Sequence, residues 1–132
     1  MKKPALAVAA STILLTACYQ PTTLQGKIRG TNRPAAILFE HQQFPHAHIL
    51  TATISDETFH GKGVQDKTDT FGHIGTQTTF FTTYGNETAI LHGSRGSTLI
   101  CHFAYDNPSS GPYGGGIGKC DHTNGITIDL IF

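Results

Sequence analysis

The stretch GIGKCDHTNGITIDLIF, residues 116–132, decides the fold. Thr123-Asn124-Gly125 separates two runs in which apolar and polar residues alternate, the pattern of two strands joined by a tight hairpin. Two registers are open. A two-residue loop at Asn124-Gly125 sets Asp121 opposite Ile128 and Cys120 opposite Asp129. A three-residue loop with Gly125 in the left-handed conformation sets Cys120 opposite Ile128 and Lys119 opposite Asp129. The second register keeps one apolar face and one charge pair, and is preferred. Ile126, Ile128, Leu130 and Phe132 then point to a core.

Working outward, the chain from Leu24 onward shows no sustained 3.6-residue apolar period. It is rich in Thr, Ile, Phe and Gly, which favour strands broken by turns. Strands are expected at about 22–29, 35–42, 46–55, 57–64, 76–84, 87–92, 97–105, 116–122 and 126–132. Gly85-Asn86 suits a two-residue hairpin loop, which would set Phe81 opposite Ile90 and Phe80 opposite Leu91. Residues from Asp66 to Gly75 carry little pattern and read as a loop. The expected fold is all-β, a small antiparallel sandwich or barrel of about 7–9 short strands.

The first residues read as an address rather than as part of that domain. Met1-Lys2-Lys3 is a cationic start, and Ala5 to Leu15 is an apolar run of eleven residues, too short to span a bilayer. Small residues follow, and then Cys18. This is the layout of a secretory signal peptide. The ending Leu15-Thr16-Ala17-Cys18 resembles the lipobox of bacterial lipoproteins. The resemblance implies diacylglycerol on the Cys18 thiol, cleavage before Cys18, and acylation of the new amino group with a palmitate-type chain. Tyr19 after the cysteine, in place of Asp, implies an outer-membrane destination by analogy with enterobacterial sorting; the face of that membrane is left open. The expected division is a signal peptide at 1–17, an acylated cysteine and tether at 18–23, and one β domain at 24–132.

Charge excludes one large class of partner. The whole chain has 9 basic and 9 acidic residues; removing Lys2 and Lys3 leaves 7 against 9, a net charge of −2. Nothing concentrates positive charge enough to displace counterions from nucleic acid. Attachment to the membrane rests on covalent lipid, each buried CH₂ contributing about 0.8 kcal/mol.

With Cys18 lipidated, Cys101 and Cys120 remain as an even pair in an oxidising compartment, and a disulfide between them is expected. A zinc site from Cys101, His102, Cys120 and His122 is the rival, weakened because adjacent residues of a strand point to opposite faces. His46 and His48 are at strand spacing on one face and are the weak metal candidates. That face continues to Leu50, Ala52 and Ile54, which favours a place at the edge of a core, and no cofactor is expected. Tyr113 with Gly114, Gly115 and Gly116 forms a candidate ligand contact within a glycine-rich surface loop. Gly93-Ser94-Arg95-Gly96-Ser97 is not a nucleophile elbow and reads as a four-residue turn. No carboxylate pair can be placed for hydrolysis, so an enzyme is not expected.

Arg95-Gly96, Cys101-His102-Phe103, the run Gly114 to Cys120, Asn124-Gly125 and Asp129 to Phe132 together resemble the C-terminal half of small, largely uncharacterised Gram-negative outer-membrane lipoproteins. The resemblance implies an architecture, a disulfide-linked β module on a lipid anchor, and no activity. The expected function is a non-enzymatic binding or structural module facing an envelope protein or glycan, with surface interference as a variant. A small-ligand or metal-binding lipoprotein and a periplasmic hydrolase accessory are the alternatives.

Overall fold

The computed structural model describes residues 21–41, 47–74 and 77–132. Eight strands form a closed antiparallel barrel: β1 Thr22–Ile28, β2 Pro34–His41, β3 Ala47–Ile54, β4 Glu57–Ile74, β5 Gln77–Gly93, β6 Thr98–Tyr105, β7 Gly116–His122 and β8 Thr127–Ile131. Each strand pairs with the next in sequence, and β8 returns to β1 through Gly26↔Leu130 and Ile28↔Ile128. Closure pairs β1 with β8 and so removes the two free edges that an open sheet would leave on those strands.

The alternation that suggested strands is the alternation of inside and outside. Leu24 and Ile28 of β1, Ile37 and Phe39 of β2, Leu50 and Ala52 of β3, Leu99, Cys101 and Phe103 of β6, and Ile128 and Leu130 of β8 point inward and are buried. The intervening Lys27, Lys62, Lys119 and Asp129 are exposed. An apolar interior with charges outside is the reverse of a transmembrane barrel, whose outer band is apolar. Side chains fill the interior, as a barrel of this strand number allows. Phe39, Phe59 and Phe103, fully buried, each contribute about 1.5–3 kcal/mol of burial.

The β7–β8 hairpin adopts the three-residue register, with Cys120↔Ile128 and Lys119↔Asp129. Gly125 sits at φ 89°, a conformation that costs glycine little. Across β6–β7, Cys101 stands directly opposite Cys120 with a Cα–Cα separation of 4.0 Å, and the two form the disulfide. Their thiols are therefore not metal ligands.

The Gly85-Asn86 hairpin and the Asp66–Gly75 loop are corrected. β4 and β5 pair with each other from Phe59↔Gly93 to Ile74↔Gln77, so Phe81 stands opposite Thr70, and Ile90 opposite Lys62. Gln65↔Glu87 is followed by Lys67↔Tyr84, which leaves Gly85 and Asn86 opposite Asp66 alone. That is a β-bulge. A Gly-Asn pair serves a bulge as readily as a turn, and the sequence offers no way to choose between them.

The connections sort into two ends. At the distal end, tight turns join β1–β2, β3–β4, β5–β6 and β7–β8; the β5–β6 connection is the expected four-residue turn, closed by Gly93 N–H donating to Ser97 O at 2.8 Å. At the proximal end β1 begins, β8 leads out to Phe132, the β4–β5 pair continues past its neighbours, and residues 106–115 cross from β6 to β7 through a 3₁₀ turn at Gly111–Gly114.

Candidate functional site

The most concentrated chemistry lies inside the proximal end. Glu87 is placed inward by the β5 alternation that also buries Ala89 and Leu91, and it is 1% exposed. Its Oε2 accepts the Tyr105 hydroxyl at 2.7 Å and lies 2.7 Å from His48 Nδ1, so β3, β5 and β6 meet at one carboxylate. Gly63 on β4 makes this possible: a Cβ there would stand 1.8 Å from Glu87 Oε1. Among the described residues, Oε1 has no hydrogen-bond partner.

The surrounding packing fixes these groups. The His48 ring meets Phe39 edge-on at 5.6 Å, Phe39 meets Phe103 at 5.0 Å, and Tyr105 meets Phe132 at 6.0 Å. Gln65 Nε2 donates to Pro108 O at 3.4 Å, tying β4 to the β6–β7 crossover. Gly111 and Pro112 are buried there, so the crossover covers this end of the barrel. Burial, then the negative charge of Glu87 and the hydrogen bond to it, push the Tyr105 phenol far above its ordinary pKa. Tyr105 is thus a fixed proton donor in a hydrogen bond and not a base.

A second carboxylate is held near the distal end. Glu57 accepts the Arg95 N–H at 3.0 Å and the Ser97 hydroxyl at 3.0 and 2.9 Å. His122 Nε2 lies 3.8 Å from its Oε2. Gly93 leaves the space, since a Cβ there would be 2.2 Å from Glu57 Oε1. Burial alone would raise the Glu57 pKa, but the Arg95 amide, the Ser97 hydroxyl and the charges of His122 and Arg95 outweigh it and hold it below the usual range. Ser97 donates to the carboxylate and not to the histidine, so the nucleophile–base–orienter chain of a hydrolase is not assembled here. Arg95 also donates to Asp56 O at 2.8 Å and pairs with its carboxylate, which locks the β5–β6 turn onto the β3–β4 turn.

The outer wall carries shallower features. Arg29 makes a two-pronged contact with Asp129, at 2.9 and 2.5 Å. Lys119, although opposite Asp129 in register, pairs with Asp121 at 2.9 Å. Ile117 and Ile131 are neighbours in register and are 62% and 77% exposed. With His102, Ala104, Lys119 and Asp129 they line a depression of about 480 Å³.

The residues singled out from sequence fall in different places. His48 is buried against Glu87, with Leu50, Ala52 and Ile54 on the same inward face. His46 lies outside the described residues, as do Cys18 and residues 1–17. No group of three or more His, Cys, Asp or Glu side chains that could hold a metal occurs among the described residues. Tyr113 is half exposed on the 3₁₀ turn, Gly114 packs near Asn107 and Ser110, and the Gly116 amide donates to Phe132 O at 2.7 Å. Gly115 follows the turn at φ 87°.

Sequence reasoning passed over Glu57, Gln65, Glu87 and Tyr105. Their signal was positional: Glu87 continues the Ala89–Leu91 face, Glu57 the Phe59 face, and Tyr105 the Leu99–Cys101–Phe103 face. Compared with family models, curated proteins and solved structures, the chain matches none.

Proposed function

We propose that the chain is a lipid-anchored lipoprotein of the Gram-negative outer membrane whose barrel is a non-enzymatic binding or structural module. The observation that carries the reading is Leu15-Thr16-Ala17-Cys18 at the end of a short apolar run, followed within four residues by the first strand at Thr22. Four residues reach at most about 14 Å, so an acylated Cys18 would hold the proximal end beside the bilayer. Support for a binding role comes from where the space is. The barrel interior is occupied by its own side chains, and the buried carboxylates of Glu57 and Glu87 serve to join strands and turns. The outer wall and the distal turns are then the surfaces offered to an envelope protein or glycan. Occupying a surface receptor is one form this binding would take.

Growth in labelled palmitate tests the reading. The wild-type protein is expected to carry label and Cys18→Ala to carry none and to keep its signal peptide. Undiminished label on the variant would overturn it.

A further inference from the structure

Among the described residues, the β4–β5 pair outruns the barrel. There, pairing of β3 with β4 runs to Ala47↔Val64, and pairing of β6 with β5 runs to Glu87↔Phe103. Beyond the bulge, residues 67–74 and 77–84 pair only with each other among the described residues, from Lys67↔Tyr84 to Ile74↔Gln77. This ribbon leaves from the proximal end, where β1 begins. Eight residues of strand extend about 26 Å, and still about 18 Å along the axis if tilted as barrel strands are. That exceeds the roughly 14 Å that the residues between Cys18 and Thr22 can span.

Composition narrows what the ribbon meets. Lys67 and Asp69 are its only charged residues and cancel, and the rest is mainly Thr with Phe71, Phe80, Phe81 and Tyr84. In register, Phe71 stands opposite Phe80, and the next pair along the ribbon sets Phe81 opposite Thr70. Aromatic residues concentrate at the membrane–water interface. The two outer edges of the ribbon present backbone groups outside any described ladder, which bars it from the hydrocarbon core and not from the headgroup layer.

We propose that this ribbon is a membrane foot: it lies in the headgroup layer of the bilayer that anchors Cys18 and sets the orientation of the barrel on it. The inference rests on the lipid-anchor reading. With the foot down, the distal turns face away from the membrane and remain open to a partner.

The chain has no tryptophan, so single reporters can be introduced cleanly. Full-length acylated protein carrying Phe71→Trp, Phe81→Trp or Asn32→Trp, the last in the distal β1–β2 turn, is reconstituted into phosphatidylethanolamine–phosphatidylglycerol vesicles. Matching vesicles contain lipid brominated near the glycerol end or near the bilayer centre. Flotation with the vesicles reads the anchor, and fluorescence quenching reads the foot. Expected is flotation of all three, loss of at least half the emission of both ribbon reporters with shallow bromine, little loss with deep bromine, and none for Asn32→Trp. Flotation with unquenched ribbon reporters would overturn the foot and leave the anchor standing, as would their burial in crosslinkable dimers through the ribbon. Failure to float would remove the anchor and the foot together.

Discussion

Opening the Cys101–Cys120 bridge should cost the barrel a large share of its stability. The cysteines are 19 positions apart, and closing a loop of that size restricts the unfolded chain by roughly 3 kcal/mol in the loop-entropy account. The folded side should change little, because the two residues are directly opposed in a β6–β7 ladder that holds them together after reduction. Both are fully buried, so a substitution to Ala would add a cavity cost, and reduction of the wild-type protein isolates the bridge. Against a total of about 5–15 kcal/mol, that loss is severe. At about 4–8 °C per kcal/mol for a domain of this size, the melting temperature should fall by roughly 12–24 °C. Thermal melts of the full chain in detergent, with and without reductant, measure it. A thiol count on the denatured protein confirms each redox state. A fall of less than about 4 °C in fully reduced protein would refute the reasoning, because the bridge would then leave the unfolded ensemble almost unrestricted.

Other expectations follow from the two buried carboxylates. Gly63→Ala would place a methyl on Glu87 Oε1 and should destabilise by about 1–3 kcal/mol from overpacking, more if the carboxylate is expelled. In a Glu87→Ala background the same change should cost much less, and denaturant melts around this double-mutant cycle check it. Glu57 has its folded pKa held below the unfolded value, so its contribution is present above about pH 4.3 and is lost as pH falls through the native value. Glu57→Gln should therefore lower stability at neutral pH and flatten the acid limb of a stability–pH curve.

The closed barrel was legible wherever one strand face is buried. Ile128 and Leu130 against Lys119 and Asp129 fixed the last hairpin to the residue, because a slip by one would have turned charges inward. Cys101 and Cys120 were legible as a pair because they are the two cysteines left once Cys18 is taken as lipidated. The β4–β5 extension was legible on one side only: residues 76–84 read as a strand, but Asp66 to Gly75 read as a loop, because a stretch that pairs with no core-forming strand among the described residues shows no imposed alternation. The candidate site was half legible. His48 was placed on the correct face, but its partner Glu87 lies 39 positions away on β5, and the two meet at 2.7 Å across Gly63 of the intervening β4, a juxtaposition set by the β3–β4 and β4–β5 registers. Lys119 was set correctly opposite Asp129, yet its ion pair forms along its own strand with Asp121, a choice made by side-chain reach and by Arg29 occupying Asp129.

The intact mass of the protein extracted from membranes tests the lipid anchor most directly. The account predicts a polypeptide that begins at Cys18, carries the added mass of a diacylglycerol and an amino-terminal acyl chain, and retains the Cys101–Cys120 bridge. A chain that still begins at Met1, or one cut elsewhere and bearing no lipid, would contradict it.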